Sequence, residues 1–182
     1  MPTDRTAAGP NPGDTGTARP IVHYGEPVLH TPCTPVTAFD AALAALVEDM
    51  FASMYAANGV GLAANQIGVD ARVFVLDCED ADGARTVAAV VNPVLILPPP
   101  PRELMVGDEG CLSVPGVFTD TPRAATAVVE GLDPDGHPVR IEGTGTLARC
   151  LQHETDHLDG TVYVDRLPAK TRKKMLAEAG LR

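Results

Sequence analysis

The sequence predicts an α+β fold, with short antiparallel strands packed around a central helix, one helix in the N-terminal half and another at the C-terminus. Three observations predict it. Apolar residues recur at helical spacing over residues 37–59 and again over 147–158. Between them lie runs of β-branched residues separated by Asp-Gly turns. Helices and strands are segregated, without the regular alternation that a parallel βαβ sheet requires.

The elements follow in order. Residues 1–19, "MPTDRTAAGPNPGDTGTAR", are rich in Gly, Pro, Thr and Asp and almost empty of large apolar side chains. That composition cannot bury enough surface to order itself, so a disordered tail is expected. Residues 20–182 are expected to form one domain. In "TAFDAALAALVEDMFASMYAANG" an apolar stripe of Leu43, Leu46, Val47, Met50, Phe51 and Met54 predicts the first helix. Thr37 with Asp40 resembles a capping pair, and Asn58-Gly59 ends the helix because glycine takes the left-handed C′ position freely. "RVFVLDC" (72–78) and "TVAAVVNPVLIL" (86–97) read as strands about the turn "DADG". "AATAVVEGL" and "HPVRIEG" flank "DPDG", a hairpin signal. A helix starts near residues 144–146 and runs through "HETDH", with Gly160 placed to end it. "TVYVDRL" reads as a last strand, and Pro168 opens a basic final helix, "AKTRKKMLAEAG".

Composition excludes several classes. The 45% hydrophobic content suits a globular domain, and no apolar run is long enough to span a bilayer, so no membrane partner is expected. No basic segment followed by an apolar one opens the chain, so no secretory signal is expected. A net charge of −10 argues against broad nucleic-acid binding, which needs clustered Lys and Arg. The four cysteines (33, 78, 111, 150) are unpaired in spacing, which favours a reduced, cytoplasmic setting.

The densest chemistry lies in "CLQHETDHLDG". His153 and His157, four residues apart, share one helix face, so both imidazoles can point at one ion. H-E-x-x-H is a metal-hydrolase pattern in which the glutamate, here Glu154, serves as general base. The plain alternative is a pair of satisfied histidines on an amphipathic helix. Against it, His153, Glu154 and Gln152 make a polar cluster on a face otherwise built of Leu147, Leu151 and Leu158, and such clusters need partners. A catalytic site wants three protein ligands and an open position. Cys150 cannot join His157, because seven helical residues rise about 10.5 Å. Cys33 and Cys78 lack polar neighbours. Cys111 sits in "DEGCLSVPG", turn-like, with Gly110 before the thiol allowing close approach. With two histidines awaiting a third ligand, Cys111 is the candidate.

"GVGLAANQIG" (59–68) is a weak phosphate loop, lacking the Walker lysine and following a helix. Its plain reading is a helix cap and a tight loop, with Gln66 needing a partner if buried. Taken in order, "GVGLAANQ", "EGCLS" and "QHETDH" resemble the three signature motifs of the peptide deformylases, and the resemblance covers roughly residues 20–170.

The resemblance, closest to the bacterial type 1 group, implies an enzyme that removes the formyl group from the N-terminal formyl-methionine of nascent polypeptides. It implies Cys111, His153 and His157 as metal ligands and Glu154 as general base and acid, acting on a metal-bound water. Gln66 and the backbone N–H of Leu112 would stabilise the oxyanion. Gly61 would hold the peptide backbone, with Val60, Cys150 and His153 near the methionine pocket. Glu109 and Arg123 match a structural ion pair that holds the cysteine loop. The implied cofactor is one divalent metal ion, Fe(II), with Zn, Ni or Co as substitutes. Implied partners are N-formylmethionyl nascent peptides and, through Lys170, Arg172, Lys173 and Lys174, the ribosome; the plain reading of that cluster is a solvated face. A monomer is the default.

Two positions depart from the family pattern. Phe118 stands where many bacterial members carry a basic residue near the cleft, and Arg149 where some carry an aliphatic one. Three other functions compete: an ordinary zinc metallopeptidase, an inactive peptide-binding paralogue, and a structural metal site. The last normally has four protein ligands.

Overall fold

Strand β2 (Val73–Glu79) carries the fold, because it is buried on both faces. In this computed structural model, which describes residues 10–182, Phe74, Leu76 and Cys78 point to one side and Val73 and Val75 to the other. Period-two alternation puts successive side chains on opposite faces, so a strand sandwiched between two helices reads as continuously apolar. β2 lies between β1 (Gly61–Ala63) and β3 (Arg85–Ile96), and β8 (Thr126–Leu132) and β9 (Pro138–Thr144) complete the sheet. Its order is β1-β2-β3-β8-β9, antiparallel throughout. Both expected Asp-Gly turns form. Asp80 accepts from the N–H groups of Asp82 and Ala84, and Asp133 from those of Asp135 and His137.

Helix α1 (Ala41–Ala56) covers one face, packing Leu43, Val47, Met50, Phe51 and Met54 on Val73, Val75 and Val91. Its N-cap is Asp40, whose carboxylate accepts from Leu43 N–H, so the expected Thr37 cap is displaced by three residues. Its C-terminus also differs from expectation. Asn58 (φ 56°), not Gly59, takes the left-handed position, and Gly59 N–H bonds Met54 O at 2.9 Å. Gly59 is needed for space, since a Cβ there would lie 2.9 Å from Leu112 Cδ1.

Helix α2 (Gly145–Leu158) crosses the opposite face and buries Leu147, Ala148, Leu151 and Leu158 against Phe74, Leu76, Val129 and Ile141. Two small hairpins lie beside it: β4 (Leu104–Met105) with β7 (Arg123–Ala124), and β5 (Asp108–Cys111) with β6 (Val114–Asp120). Thus the cysteine segment expected to be turn-like is a hairpin with a two-residue tip. The expected strand "TVYVDRL" is a 3-10 turn at Tyr163–Arg166. Val162, Tyr163 and Val164 are all buried, which alternation in a one-sided strand cannot achieve, and Asp165 holds the turn by accepting from Val162 N–H. Helix α3 (Ala169–Glu178) follows Pro168 as expected and buries Met175.

The expected tail divides in two. Residues 1–9 lie outside the described residues. Residues 10–19 lie along α1, held by its acidic pair. Glu48 accepts from Gly13 N–H, Thr15 N–H and the Thr15 hydroxyl, while Asp49 accepts from Thr17 N–H and pairs with Arg19. Hydrogen bonding to acidic side chains orders a segment too poor in apolar groups to order itself.

Candidate metal centre

Helix α2 presents His153 and His157 one turn apart on its buried face, and the β5–β6 hairpin carries Cys111 to them. His157 Nε2 stands 3.2 Å from His153 Nε2 and 3.2 Å from Cys111 Sγ. All three residues are buried. The thiol also accepts from Ser113 N–H (3.4 Å), and Gln66 Nε2 lies 3.5 Å from it. His153 turns its Nδ1 toward Glu109 Oε1 at 3.3 Å, which directs its Nε2 at the other two donors.

Behind Glu109 lies a charge chain that is buried except at its outer end, Arg166. Arg123 donates to Glu109 through Nε and Nη2 and to Asp156 through Nη1 at 2.7 Å. Arg166 grips Asp156 with two bonds of 2.6 Å. Burial raises the Glu109 carboxyl, but the His153 and Arg123 hydrogen bonds outweigh it and hold it below the usual carboxylate range. Burial pulls His153 down, yet Cys111 and Glu109 outweigh that and hold it well above its ordinary value. Burial, then the charges of His153 and Arg123, leave His157 well below its ordinary value.

Glu154, the next residue on α2, is buried, and its Oε2 has no hydrogen-bond partner among the described residues. Burial pushes its pKa up to about 7, so its proton exchanges near neutral pH. Beside it is Gly61, where a Cβ would lie 2.6 Å from Glu154 Oε1 and 2.8 Å from Cys150 Sγ. Gln66 sits in the 3-10 turn Ala64–Ile67 that follows β1. Its Oε1 accepts from Ala63 N–H and its Nε2 donates to Ser113 Oγ at 3.2 Å, so the side-chain amide is fixed with its donor side toward Cys111. The segment before α1 holds both walls: Val22 N–H bonds Gln66 O and Tyr24 N–H bonds Ser113 O.

Gln66, Glu109, Cys111, His153 and Glu154 line a cavity of about 490 Å³, together with Val60, Gly61, Leu112, Phe118, Arg149 and Cys150. Eight of the nine site residues expected from the sequence thus line one cavity, and the ninth, His157, lies behind it in contact with Cys111 and His153. Cys150 packs its thiol against Val60 O and Gly61 at the cavity wall and is no part of the donor cluster.

Sequence reasoning missed Ser113, Asp156 and Asn65. Asn65 Nδ2 donates to His157 O at 2.6 Å and so pins the end of the ligand turn. Ser113 and Asn65 stand inside the quoted motifs, so the signal was present; Asp156 is the x before His157, where only a partner distant in sequence reveals its role. Gln152 has the partners that its polarity demanded, pairing both ways with the backbone of Ala124.

The donor set suits a divalent cation. Donors bound to one ion at roughly 2.0–2.3 Å stand roughly 3.3–3.6 Å apart, close to the spacings found. One thiol and two imidazoles are borderline-soft ligands that suit zinc and iron. Three protein ligands would leave a four-coordinate ion one position for water or substrate, the ligand count of catalytic sites. Fold and site together define a metal-dependent hydrolase.

Comparison with known proteins narrows the class. Residues 18–173 match the family model described as polypeptide deformylase, and the chain belongs to that family. It is 56% identical over 171 residues to peptide deformylase 2 of Streptomyces avermitilis, covering 94% of this chain and 91% of that one. Among solved structures it resembles a peptide deformylase from Legionella pneumophila (TM-score 0.81, 39% identity, 90% of this chain and 94% of the other). It is also similar to the Ehrlichia chaffeensis peptide deformylase in complex with actinonin (TM-score 0.82, 36% identity, 89% and 95% coverage). Among the described residues no helix is long and apolar enough to cross a membrane.

Proposed function

We propose that this chain hydrolyses the formyl group from the N-terminal formyl-methionine of nascent polypeptides. The observation that carries it is the meeting of Cys111, His153 and His157 beside a buried carboxyl, Glu154, whose Oε2 has no hydrogen-bond partner among the described residues.

Cys111 Sγ, His153 Nε2 and His157 Nε2 would hold the ion, Fe(II) by family resemblance, with Zn, Ni or Co as substitutes. A divalent cation there supplies Lewis acidity, which polarises a carbonyl oxygen and lowers the pKa of water. The Glu154 carboxylate takes the proton of the attacking water and returns it to the departing amine nitrogen. The formyl C–N bond breaks, and formate and a free N-terminal methionine leave. Gln66 Nε2 and the Leu112 N–H donate to the oxyanion that forms in between, each such donor being worth about 3 kcal/mol. β1 ends the sheet order, so Gly61 offers backbone groups to which an extended peptide adds as a strand. Val60 and Cys150 line the methionine pocket. The reaction belongs to a cytoplasmic, monomeric enzyme in which residues 20–182 form the catalytic domain. The basic face of α3 (Lys170, Arg172, Lys173, Lys174) would dock on the ribosome.

The test is anaerobic formate release from a formyl-methionyl tripeptide by stripped protein reloaded with Fe(II) or Zn(II), beside Glu154→Ala. Release with Fe(II), blocked by actinonin and lost in the variant while metal still binds, is expected. Silence from folded, loaded protein with every metal refutes the reading.

A further inference from the structure

We propose that Phe118 sets sequence preference: it favours peptides with an apolar side chain at one of the two positions after the methionine, at a cavity mouth that disfavours an acidic one there. This rests on the deformylase reading above.

Phe118 is 68% exposed, although it lines the cavity and sits on a rigid hairpin. Its cross-strand partner is Gly110, the residue before Cys111. A Cβ at Gly110 would overlap the Phe118 ring, so the absence of a side chain at 110 lets the ring lie on the β5 backbone. One face of the phenyl is thereby fixed and the rest is left to water. Val60, on the β1 side of the same cavity, is 49% exposed. Exposed apolar groups flanking a concave site are what a ligand's apolar group covers. The inner end of the cavity holds Gln66, Cys111, His153 and Glu154, where the formyl group must reach. The strongly exposed Phe118 belongs to the mouth, so it meets the residues that follow the methionine.

Charge points the same way. Asp108 is exposed and lines the cavity. The lone Lys or Arg side chain among the lining residues is Arg149, and its guanidinium turns inward, donating to Thr121 O at 2.7 Å and standing 3.9 Å from Glu109. An acidic side chain at the mouth would find a carboxylate and no free cation to pair with.

The experiment measures kcat/KM for formyl-Met-X-Ser and formyl-Met-Ala-X peptides (X = Leu, Ala, Asp) with wild-type protein, Phe118→Ala and Phe118→Leu, all metal-loaded and matched for thermal midpoint. Wild type should prefer Leu to Asp about tenfold or more at one of the two positions. Phe118→Ala should cut the Leu-to-Ala ratio about fivefold, through KM, and Phe118→Leu should restore most of it. Calorimetric binding of the deformylated Leu and Asp peptides should give the same order. Formate release with the same ratios in wild type and Phe118→Ala at both positions overturns the Phe118 assignment alone. No formate from any peptide with wild-type protein overturns the deformylase reading instead.

Discussion

Replacing Gly61 with alanine tests whether the position of the Glu154 carboxylate matters. The added Cβ would stand 2.6 Å from Glu154 Oε1, 3.0 Å from Glu154 Cδ and 2.8 Å from Cys150 Sγ. Ordinary contact needs about 3.4 Å, so the carboxylate must retreat by about 0.8 Å. Glutamate is flexible, but this one is only 3% exposed and Cys150, the other neighbour, is 5% exposed, so neither can swing into solvent. Overpacking of this kind costs about 1–3 kcal/mol of stability. A misplacement near 1 Å at a reacting group costs on the order of 10²-fold in rate, so kcat should fall about 30- to 100-fold. The assay is formate release at saturating peptide, with metal content by elemental analysis and the thermal midpoint beside it. Metal content should be unchanged, because the three atoms nearest the new methyl belong to Glu154 and Cys150 and not to Cys111, His153 or His157. If kcat stays at the wild-type value and only KM rises, Gly61 acts through the peptide backbone alone, and the reasoning about Glu154 is refuted.

Gln66→Met, similar in length but without the amide, should lower kcat by roughly 10²–10³-fold while retaining metal; kcat within fivefold of wild type would remove Gln66 from oxyanion stabilisation. Glu48→Ala deletes the acceptor for Gly13 and Thr15, so it should cost about 1 kcal/mol in thermal unfolding and open residues 10–19 to limited proteolysis without altering kcat. An unchanged cleavage rate would mean that the strap is held by other contacts. Tyr24 donates its hydroxyl to Asp165 at 2.6 Å, and burial, then Asp165, pushes its pKa up to about 12 from an ordinary 10.0. The folded state thus binds this proton more tightly than the unfolded one. Its stabilisation is complete below pH 10 and is lost as pH rises from 10 through 12. The midpoint difference between wild type and Tyr24→Phe should shrink over that window; a constant difference would refute the assignment.

What was legible depended on where each signal sits in the chain. The α2 site could be read because the periodicity, His153-to-His157 spacing and Gly160 stop all lie within one segment. Both Asp-Gly hairpins were readable for the same reason. Cys111 was identified by its chemistry, yet its hairpin was hidden, since Gly110, Pro115 and Gly116 are turn residues and the pairing Glu109 to Thr119 spans ten residues. Val162 to Val164 misled because β-branched residues suggest a strand, whereas burial of consecutive side chains in the third core cluster selects a turn. Residues 10–19 carry no ordering signal of their own; it resides in Glu48 and Asp49, about 30 residues on, and is invisible to any local window.

The chain Arg166–Asp156–Arg123–Glu109–His153 shows the same logic at the centre of the molecule. Buried ion pairs do little for net stability, because desolvation offsets most of their attraction. Such a chain is therefore poorly explained as reinforcement. It does accomplish something that packing cannot: it fixes the Glu109 carboxylate as an anion 3.3 Å from His153 Nδ1, and so orients the imidazole with Nε2 toward the other two donors. Glu109 is on β5, Arg123 on β7, Asp156 and His153 on α2, and Arg166 in the turn after it. Four elements thus meet around one imidazole. The hairpin carrying Cys111 is tied through Glu109 to the helix carrying both histidines. The polar chain therefore joins the two elements whose separation sets the spacing of the three donors.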